Sequence, residues 1–319
     1  MTVAVIFGAN GFIGKWVAEA MLAQRGLDVV GAGLGTPLPG LESRWLDVDL
    51  LAGDGWLNTE LRTLGPGLIV NCTGATAGSA DDLIRLNVAV TAKLLEAIAS
   101  SGLTTRLVHL GSAAEYGAGV VGELTAETAE AMPLSPYGAA KLAATELVTA
   151  ATRGAGAGLD AVVLRVFNAL GPGMPVGTMP GRALRTLTLA VADSAPLIEM
   201  GPLGSVRDFV DVRDIATAVV AACLVPTLEA RIVNVGSGTG HTARELVQSL
   251  AARVGFSGEI REAAPGSPRS SDVPWQVADV SLAARVLGWR AAHDLSSAIE
   301  SMTAELDGSG RKPAADLAS

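Results

Sequence analysis

Aromatic and charged residues are both scarce in this 319-residue sequence. Phe, Trp and Tyr make up 4% of it and charged residues 17%, whereas 49% of the residues are hydrophobic. This composition excludes disordered and fibrous proteins, which lack enough apolar side chains to form a core. Ala, Val and Leu must form most of the core. The length predicts two domains, or one large α/β domain with a smaller lobe.

Cysteine and long hydrophobic runs are nearly absent as well. Cys72 and Cys223 lie far apart within apolar stretches, and no Cys or His run has the spacing of metal ligands. This excludes a disulfide framework, and we expect no metal site. The longest apolar run, residues 215–225, is shorter than the roughly 18 residues of a membrane span, and the N-terminus shows no basic region ahead of an apolar one. The sequence therefore predicts a soluble, cytoplasmic protein with no membrane partner.

Positive charge is in short supply. The chain has 23 Lys and Arg against 32 Asp and Glu, which gives a net charge of −9. Such a balance argues against binding to nucleic acid, because that binding depends on many phosphate contacts from Lys and Arg. An anionic small ligand would need a local group of arginines.

Short apolar strands alternate with helical patterns through the first half of the chain. Because the strands lack polar alternation, they are typical of a parallel sheet covered by helices on both faces. The sequence predicts an α/β fold, with a Rossmann-type doubly wound domain over residues 1–168 to which some later segments return. Residues 169–306 are predicted to form mainly a smaller α/β substrate lobe, and residues 307–319 a flexible tail.

A glycine pattern stands between the first predicted strand and the first helix. Gly8, Gly11 and Gly14 are spaced as G-x-x-G-x-x-G. In this context glycines allow a tight turn in which backbone N–H groups and the helix N-terminus meet a pyrophosphate. The pattern therefore predicts a bound dinucleotide.

The second predicted strand ends without an acidic residue. Residues 30–34 read Val-Gly-Ala-Gly-Leu, so no carboxylate is present to hold a ribose 2′-hydroxyl. Nothing in this stretch would repel a 2′-phosphate, although no Arg is present to bind one. We favour NADP(H) as the cofactor, with NAD(H) as the alternative.

Three further side chains suggest carbonyl chemistry. Tyr137 and Lys141 are four residues apart, which places them on one face of a helix. A nearby ammonium favours the phenolate, and this makes a Tyr more useful for proton transfer near neutral pH. Ser112 follows a predicted strand, at the carboxyl edge where open α/β sheets place their ligands.

These motifs, taken in order, resemble the extended short-chain dehydrogenase/reductases of the nucleotide-sugar epimerase/dehydratase family over roughly residues 2 to 300. The matching segments are GANGFIG, LDVD, NCTGA, LNVAVTAKLLEA, SAAEYG, SPYGAAK, FNALGPG, RDFVDVRDIA, NVGSG and LGW. The resemblance implies that the catalytic residues are Ser112, Tyr137 and Lys141. It also implies a set of cofactor contacts: Gly8, Asn10, Gly11, Phe12, Ile13, Gly14, Asp47, Val48, Tyr137 and Lys141. The implied substrate contacts are Ser112, Ala113, Asn168, Arg207, Arg269 and Asp272.

The reaction subtype follows from side chains that this sequence lacks. Dehydratases of the family carry one or two acids directly after the catalytic Ser or Thr, where this chain has Ala113 and Ala114. The 3,5-epimerising reductases place a Cys where Ala114 stands. We therefore expect a 4-ketoreductase acting on a nucleotide-linked 4-keto-6-deoxy sugar, similar to the GDP-4-keto-6-deoxymannose reductases. A 4-epimerase with tightly bound NAD is the main alternative. A non-catalytic nucleotide sensor and a reductase of a non-sugar ketone are the others.

The resemblance also implies a homodimer. Family members commonly pair through the helix that carries the catalytic Tyr and the helix before the catalytic Ser. Here the first of these helices contains Ala139, Ala140, Ala143 and Ala144. Small side chains would permit close approach of two subunits, but they would equally suit packing of the helix on the sheet.

Overall fold

A computed structural model describes residues 1–52, 55–154, 158–265 and 273–308. Within them a seven-stranded parallel sheet has the order β10-β6-β5-β4-β1-β2-β3. Its strands are β1 (Thr2–Phe7), β2 (Leu27–Gly33), β3 (Trp45–Asp47), β4 (Leu68–Asn71), β5 (Thr105–Ser112), β6 (Leu159–Val166) and β10 (Ile232–Val235). The predicted Rossmann-type parallel sheet is thus confirmed.

Helices cover both faces of this sheet, which explains why its strands are mostly apolar. The helices in the described residues are α1 (Phe12–Leu22), α2 (Trp56–Leu64), α3 (Ala80–Leu83), α4 (Val90–Ser101), α5 (Pro136–Gly154), α6 (Met179–Ala192), α7 (Val212–Leu224), α8 (Ala243–Val254), α9 (Ser281–Val286) and α10 (Leu295–Gly308). Of these, α6, α8 and α10 pack together in the smaller lobe and not on this sheet. Alternate residues of β1 enter two separate cores. Ala4 and Ile6 pack with α1 and α7, whereas Val5 and Phe7 pack with α2, α4 and α5.

The helical region between β4 and β5 is interrupted by a wider turn. Residues Ile84–Ala89 form a π-helical segment between α3 and α4. Within it the buried Asn87 amide donates to the carbonyl oxygens of Leu83 (2.9 Å) and Ala75 (3.0 Å). A side chain that bonds backbone carbonyls in this way competes with the regular helical hydrogen bonds, which accounts for the wider turn.

A smaller sheet gathers strands that are distant in sequence. Strand β9 (Val206–Asp211) pairs with β7 (Asn168–Leu170), β11 (Gly240–Thr242) and β13 (Trp275–Gln276). A separate pair joins β8 (Leu197–Glu199) to β12 (Glu259–Arg261). Strand β10 follows β9 in sequence but lies in the larger sheet, so the chain returns to that sheet after forming part of the smaller one. The domain boundaries stay a prediction.

Helix α7 links the two sheets directly. It begins at Val212, immediately after β9, and the Asp211 side chain caps it by accepting the Arg213 N–H at 2.8 Å. The helix then packs along α1, beside the larger sheet.

The end of the chain differs slightly from the predicted boundary. Helix α10 continues to Gly308, two residues into the predicted tail, and residues 309–319 lie outside the described part. No helix in the described ranges is long and apolar enough to cross a membrane.

Candidate active site

The predicted dinucleotide turn lies at the carboxyl edge of the larger sheet. Gly8, at φ +74°, follows β1, and its carbonyl oxygen accepts the Gly11 N–H at 3.0 Å. A Cβ atom at Gly14 would overlap the Gly8 carbonyl, and a Cβ at Gly8 would lie 2.9 Å from the Thr73 backbone nitrogen. Only glycine at these two positions lets the turn, the helix and β4 approach so closely.

The N-terminus of α1 suits an anion. No acidic residue occupies its first turn, and its N-cap, Gly11, has no side chain to bond the free N–H groups. Such N–H groups and the helix dipole favour a phosphate. Phe12 and Ile13 are half-buried beside this turn, whereas Asn10 is exposed and donates to the Leu34 carbonyl oxygen at 2.7 Å. The turn therefore fits the pyrophosphate of a dinucleotide.

Asp47 and Val48 lie next to the end of the second strand. Asp47 is exposed at the end of β3, opposite Gly33 in the parallel register. Val48 is buried, and its N–H donates to the Gly33 carbonyl oxygen at 3.2 Å. Both residues thus share the sheet edge with the glycine turn.

Ser112 ends β5 and begins a short 3₁₀ turn, Ala113–Glu115. Its Oγ accepts the Ala114 N–H at 3.2 Å, and its own N–H donates to Glu115 Oε1 at 2.8 Å. This capping box fixes both the backbone and the hydroxyl group of Ser112. Ser112 is 9% exposed, so little of its side chain is solvated.

Tyr137 reaches this turn because α5 packs directly against it. Pro136 starts α5, where a missing N–H does no harm, and Tyr137 is half-buried in the same first helical turn. A Cβ atom at Gly138 would overlap the Ala114 carbonyl oxygen. The glycine therefore allows the first turn of α5, with its phenol, to lie against the Ser112 turn.

Lys141 lies one turn further along α5 and is 4% exposed. Its ammonium group donates a hydrogen bond to the Leu110 carbonyl oxygen, two residues before Ser112 on β5. Burial lowers the pKa of Lys141 to about 8, although the nearby Glu115 carboxylate opposes this effect. The structure thus brings the three predicted catalytic residues to one end of β5.

Glu115 and Arg165 form a buried ion pair that the sequence motifs did not indicate. Glu115 Oε2 accepts the Arg165 Nε–H at 2.8 Å, and both side chains are almost fully buried. The guanidinium group also lies 4.4 Å from the Tyr116 ring centroid. The sequence held one signal for this pair, Arg165 within the apolar run VVLRVFN. A cation in a buried strand requires an anion nearby.

The predicted substrate contacts lie partly on the smaller sheet. Arg207, on β9, is 6% exposed, and burial lowers its pKa to about 10, so it remains charged near neutral pH. Asn168 lies on the neighbouring strand and donates to the Asp208 carbonyl oxygen at 3.0 Å. Gln276, on β13, donates to the Ala113 carbonyl oxygen at 2.9 Å and so ties the smaller sheet to the Ser112 turn.

Two predicted substrate contacts, Arg269 and Asp272, lie outside the described residues. Over the ranges that the structure covers, no group of three or more His, Cys, Asp and Glu side chains could hold a metal ion.

A family profile for the NAD-dependent epimerase/dehydratase family matches residues 4–236 of this chain. The chain belongs to this family. The family resemblance inferred from the motifs is therefore confirmed.

Among curated proteins, the chain is similar to the dTDP-6-deoxy-L-talose 4-dehydrogenase (NAD(P)(+)) of Kitasatospora kifunensis. The two are 35% identical over 300 residues, which is 93% of each chain.

Among solved structures, the chain is similar to the UDP-glucose 4-epimerase of Thermus thermophilus in complex with NAD. The identity is 28% and the TM-score 0.81, over 97% of this chain and 100% of the other. MoeE5 in complex with UDP-glucuronic acid and NAD has 27% identity and a TM-score of 0.82, over 96% and 99% of the two chains.

Proposed function

We propose that this enzyme uses NADPH or NADH to reduce the C4 keto group of a nucleotide-activated 4-keto-6-deoxy sugar. The similarity to a 4-dehydrogenase of a dTDP-6-deoxy sugar over 93% of both chains supports this substrate class. A dehydrogenase of such a sugar catalyses the reverse of the reduction, and the site residues serve both directions.

The likeness to a 4-dehydrogenase carries the proposal, and the lack of an available acid in the Ser112 turn supports it over a dehydration. Ala113 and Ala114 follow Ser112, and the next residue, Glu115, is 0% exposed and paired with Arg165. Elimination of water from a sugar would need a separate acid and base at this turn. Reduction of a single carbonyl group needs only one proton donor, and Tyr137 can serve as that donor without a further acid or base in the turn.

The three side chains would divide the work at that oxygen. Ser112 donates a hydrogen bond to the carbonyl oxygen, and Tyr137 gives its proton to the oxygen as negative charge develops there. Lys141 would orient the nicotinamide ribose, and its ammonium charge would stabilise the negative charge left on the Tyr137 oxygen after proton transfer. The reduced nicotinamide, when bound, supplies the hydride.

The substrate diphosphate would bind to arginines of the lobe. Arg207 is a buried cation on a central strand, and Arg269 and Asp272 complete the proposed set with Asn168. A guanidinium group can bond phosphate oxygens in a bidentate manner. These residues would supply the local positive charge that a chain with a net charge of −9 otherwise lacks.

For the cofactor, we propose that both forms bind and that NADP(H) is favoured. Residues 30–34, at the end of β2, include no carboxylate that would repel a 2′-phosphate. The Kitasatospora relative is named for both forms, although the two solved structures compared above hold NAD. Fluorescence titration with NADPH and NADH would test this preference, and a higher affinity for NADH would contradict it.

The reaction itself can be tested by absorbance at the reduced-nicotinamide band. Purified protein is mixed with NADPH or NADH and with dTDP- or GDP-linked 4-keto-6-deoxy sugars made in situ by a 4,6-dehydratase. We expect oxidation of the cofactor with at least one sugar. No oxidation with any of them would contradict the proposal.

A nucleotide-sugar 4-epimerase is the second candidate. It is favoured by the likeness to an NAD-bound 4-epimerase over nearly the whole chain. An epimerase reoxidises its own cofactor, so it would release NAD on denaturation and need no added reductant. The purified protein used in the absorbance assay can be denatured and tested for released NAD, and this distinguishes the two functions.

We also propose a homodimer that pairs through α4 and α5. Ala139 and Ala143 are exposed on α5, whereas Ala140 and Ala144 face inward. Ile84, the first residue of the π-helical segment that leads into α4, is 55% exposed. Light scattering should give twice the 32.3 kDa subunit mass, and Ala143→Arg should yield monomers. A monomeric wild-type protein would contradict this arrangement.

A further inference from the structure

Glu115 is a fully buried carboxylate to which the proposed reaction assigns no part. It is 0% exposed, and its two oxygens have different partners. Oε1 accepts the Ser112 N–H and Oε2 accepts the Arg165 Nε–H, each at 2.8 Å. Burying a carboxylate is unfavourable unless it is paired, so this position needs an explanation.

We propose that Glu115 is a positioning residue that acts on the reaction through Ser112 and Lys141. This inference rests on the proposed reduction, because it concerns the residues that would carry it out. Glu115 contacts neither substrate nor cofactor in this account, since its carboxylate faces the protein interior.

The link to Ser112 is geometric. The carboxylate holds the backbone N–H of Ser112, while the Ser112 hydroxyl accepts the Ala114 N–H. A Cβ atom at Gly111 would lie 2.7 Å from Glu115 Oε1, which shows how tightly the carboxylate packs on β5. Without this bond the last residue of β5 would lose the contact that sets the direction of its side chain.

The link to Lys141 is electrostatic. Three titratable groups on other elements act on the ammonium group: Glu115, the Cys72 thiol at the end of β4 and His109 on β5. Burial raises the pKa of Cys72 to about 12 and lowers the pKa of His109 well below its usual value, so both are neutral near pH 7. Of these three groups, only Glu115 supplies negative charge that keeps Lys141 protonated.

The remaining charged groups in this region lie nearer to the Glu115 carboxylate or Tyr116 than to Lys141. Arg165 pairs with Glu115, and its guanidinium group lies over the Tyr116 ring. Glu127 lies beyond Tyr116, where it accepts the Asn234 N–H at 2.7 Å. On its own helix, Lys141 has Tyr137 one turn before it. Arg165 thus makes burial of the Glu115 charge tolerable.

The test compares Glu115→Gln with the wild-type protein across pH 6 to 10. The amide has nearly the same shape but no charge, so the pKa of Lys141 should fall. We expect the loss of activity on the alkaline side to begin at lower pH. At pH 7 we expect kcat to fall by about 10- to 100-fold, with little change in the KM for the sugar. Glu115→Asp, which keeps the charge, should restore the alkaline side of the profile.

Two further variants separate positioning from a merely structural role. Asp211→Asn removes another buried carboxylate that pairs with an arginine, Arg213, at 2.7 Å. This control should lower the melting temperature but leave the pH profile unchanged. If Glu115→Gln does not fold, the double variant with Arg165→Gln removes both charges and leaves no unpaired cation.

The outcomes distinguish this inference from the proposed function. An active wild-type enzyme whose folded Glu115→Gln variant keeps kcat and the alkaline profile would overturn the positioning role alone. If the wild-type protein reduces no sugar, the proposed function fails. The pH dependence of NADPH binding to the same variants then tests the link to Lys141, and identical curves would overturn it.

Discussion

The two sheets build their parts of the site in different ways. At the edge of the larger sheet, the glycine turn shapes the proposed cofactor site with backbone atoms from one strand and the helix that follows it. The smaller sheet instead presents buried polar side chains such as Arg207, Asp208 and Gln276 on strands that are far apart in sequence. A site made of backbone tolerates few changes of shape, whereas a site made of side chains can change its ligand by substitution.

The largest effect is expected for a side chain on α5, the helix that packs against the end of β5. Tyr137→Phe removes the proton donor, so kcat should fall by about 10²- to 10⁴-fold while the affinity for NADPH is kept. Steady-state kinetics and fluorescence titration check the two parts. The other tyrosine gives a matched control. Tyr116→Phe loses its hydrogen bond to Asn234 (2.7 Å) and should cost stability by about 1 kcal/mol, with far less loss of kcat. Full activity of the Tyr137→Phe variant would exclude Tyr137 as the donor.

Arg207→Ala tests the smaller sheet. Loss of a charge-assisted hydrogen bond to the diphosphate should raise the KM for the sugar by about 10- to 100-fold, and leave the affinity for NADPH unchanged. Arg244, in an exposed pair with Glu262 on the same lobe, provides the control for general loss of charge. An unchanged KM for Arg207→Ala would show that Arg207 does not bind the substrate diphosphate.

Gly14→Ala tests the claim that the cofactor turn depends on backbone shape. The new Cβ would overlap the Gly8 carbonyl, so we expect a loss of about 1–3 kcal/mol in the free energy of unfolding and weaker NADPH binding. Gly177→Ala is the control, because a Cβ there meets nothing within 4 Å. Thermal unfolding and fluorescence titration report both changes. Equal behaviour of the two variants would show that the close approach of helix and turn is dispensable.

The smallest effect is the pH response of the wild-type protein. With the pKa of Lys141 at about 8, activity at pH 8 should be about half that at pH 7.

The stability of the folded protein should change with pH in the opposite direction to its activity. Between pH 8 and about 10 the unfolded chain holds a proton on Lys141 that the folded chain has released, so this residue's contribution to the free energy of unfolding rises with pH. Chemical denaturation at both pH values measures it, and activity that is constant to pH 9 would contradict the role of the ammonium group.

The same contrast explains how much the sequence could predict. Gly8, Gly11 and Gly14 lie within one strand–turn–helix unit, so their local spacing predicts the turn. Tyr137 and Lys141 lie on one helix, but their spacing alone is a weak signal, and the family resemblance was needed to propose their roles. The ion pair of Glu115 and Arg165 joins residues 50 positions apart. It depends on β5 and β6 being neighbours with Gly111 opposite Arg165, which no local pattern reveals.

The smaller sheet was harder to foresee for a related reason. Its strands are three, six, three and two residues long, too short for a clear alternation of polar and apolar residues. Asp208 is fully buried there and accepts hydrogen bonds from Ser237 and the N–H of Ala278. A charged residue inside a strand core is explained only by partners that lie 29 and 70 residues away in the chain.

The direct passage from β9 into α7 has a thermodynamic consequence. Arg207 and the first turn of α7 belong to one uninterrupted segment, and α7 packs along α1, the helix that faces the proposed pyrophosphate. The two proposed ligand sites are therefore joined by secondary-structure elements that pack on one another. If the sugar nucleotide tightens NADPH binding by some factor, NADPH must tighten sugar nucleotide binding by the same factor. The coupling between the two ligands is therefore one quantity, which can be measured from the binding of either.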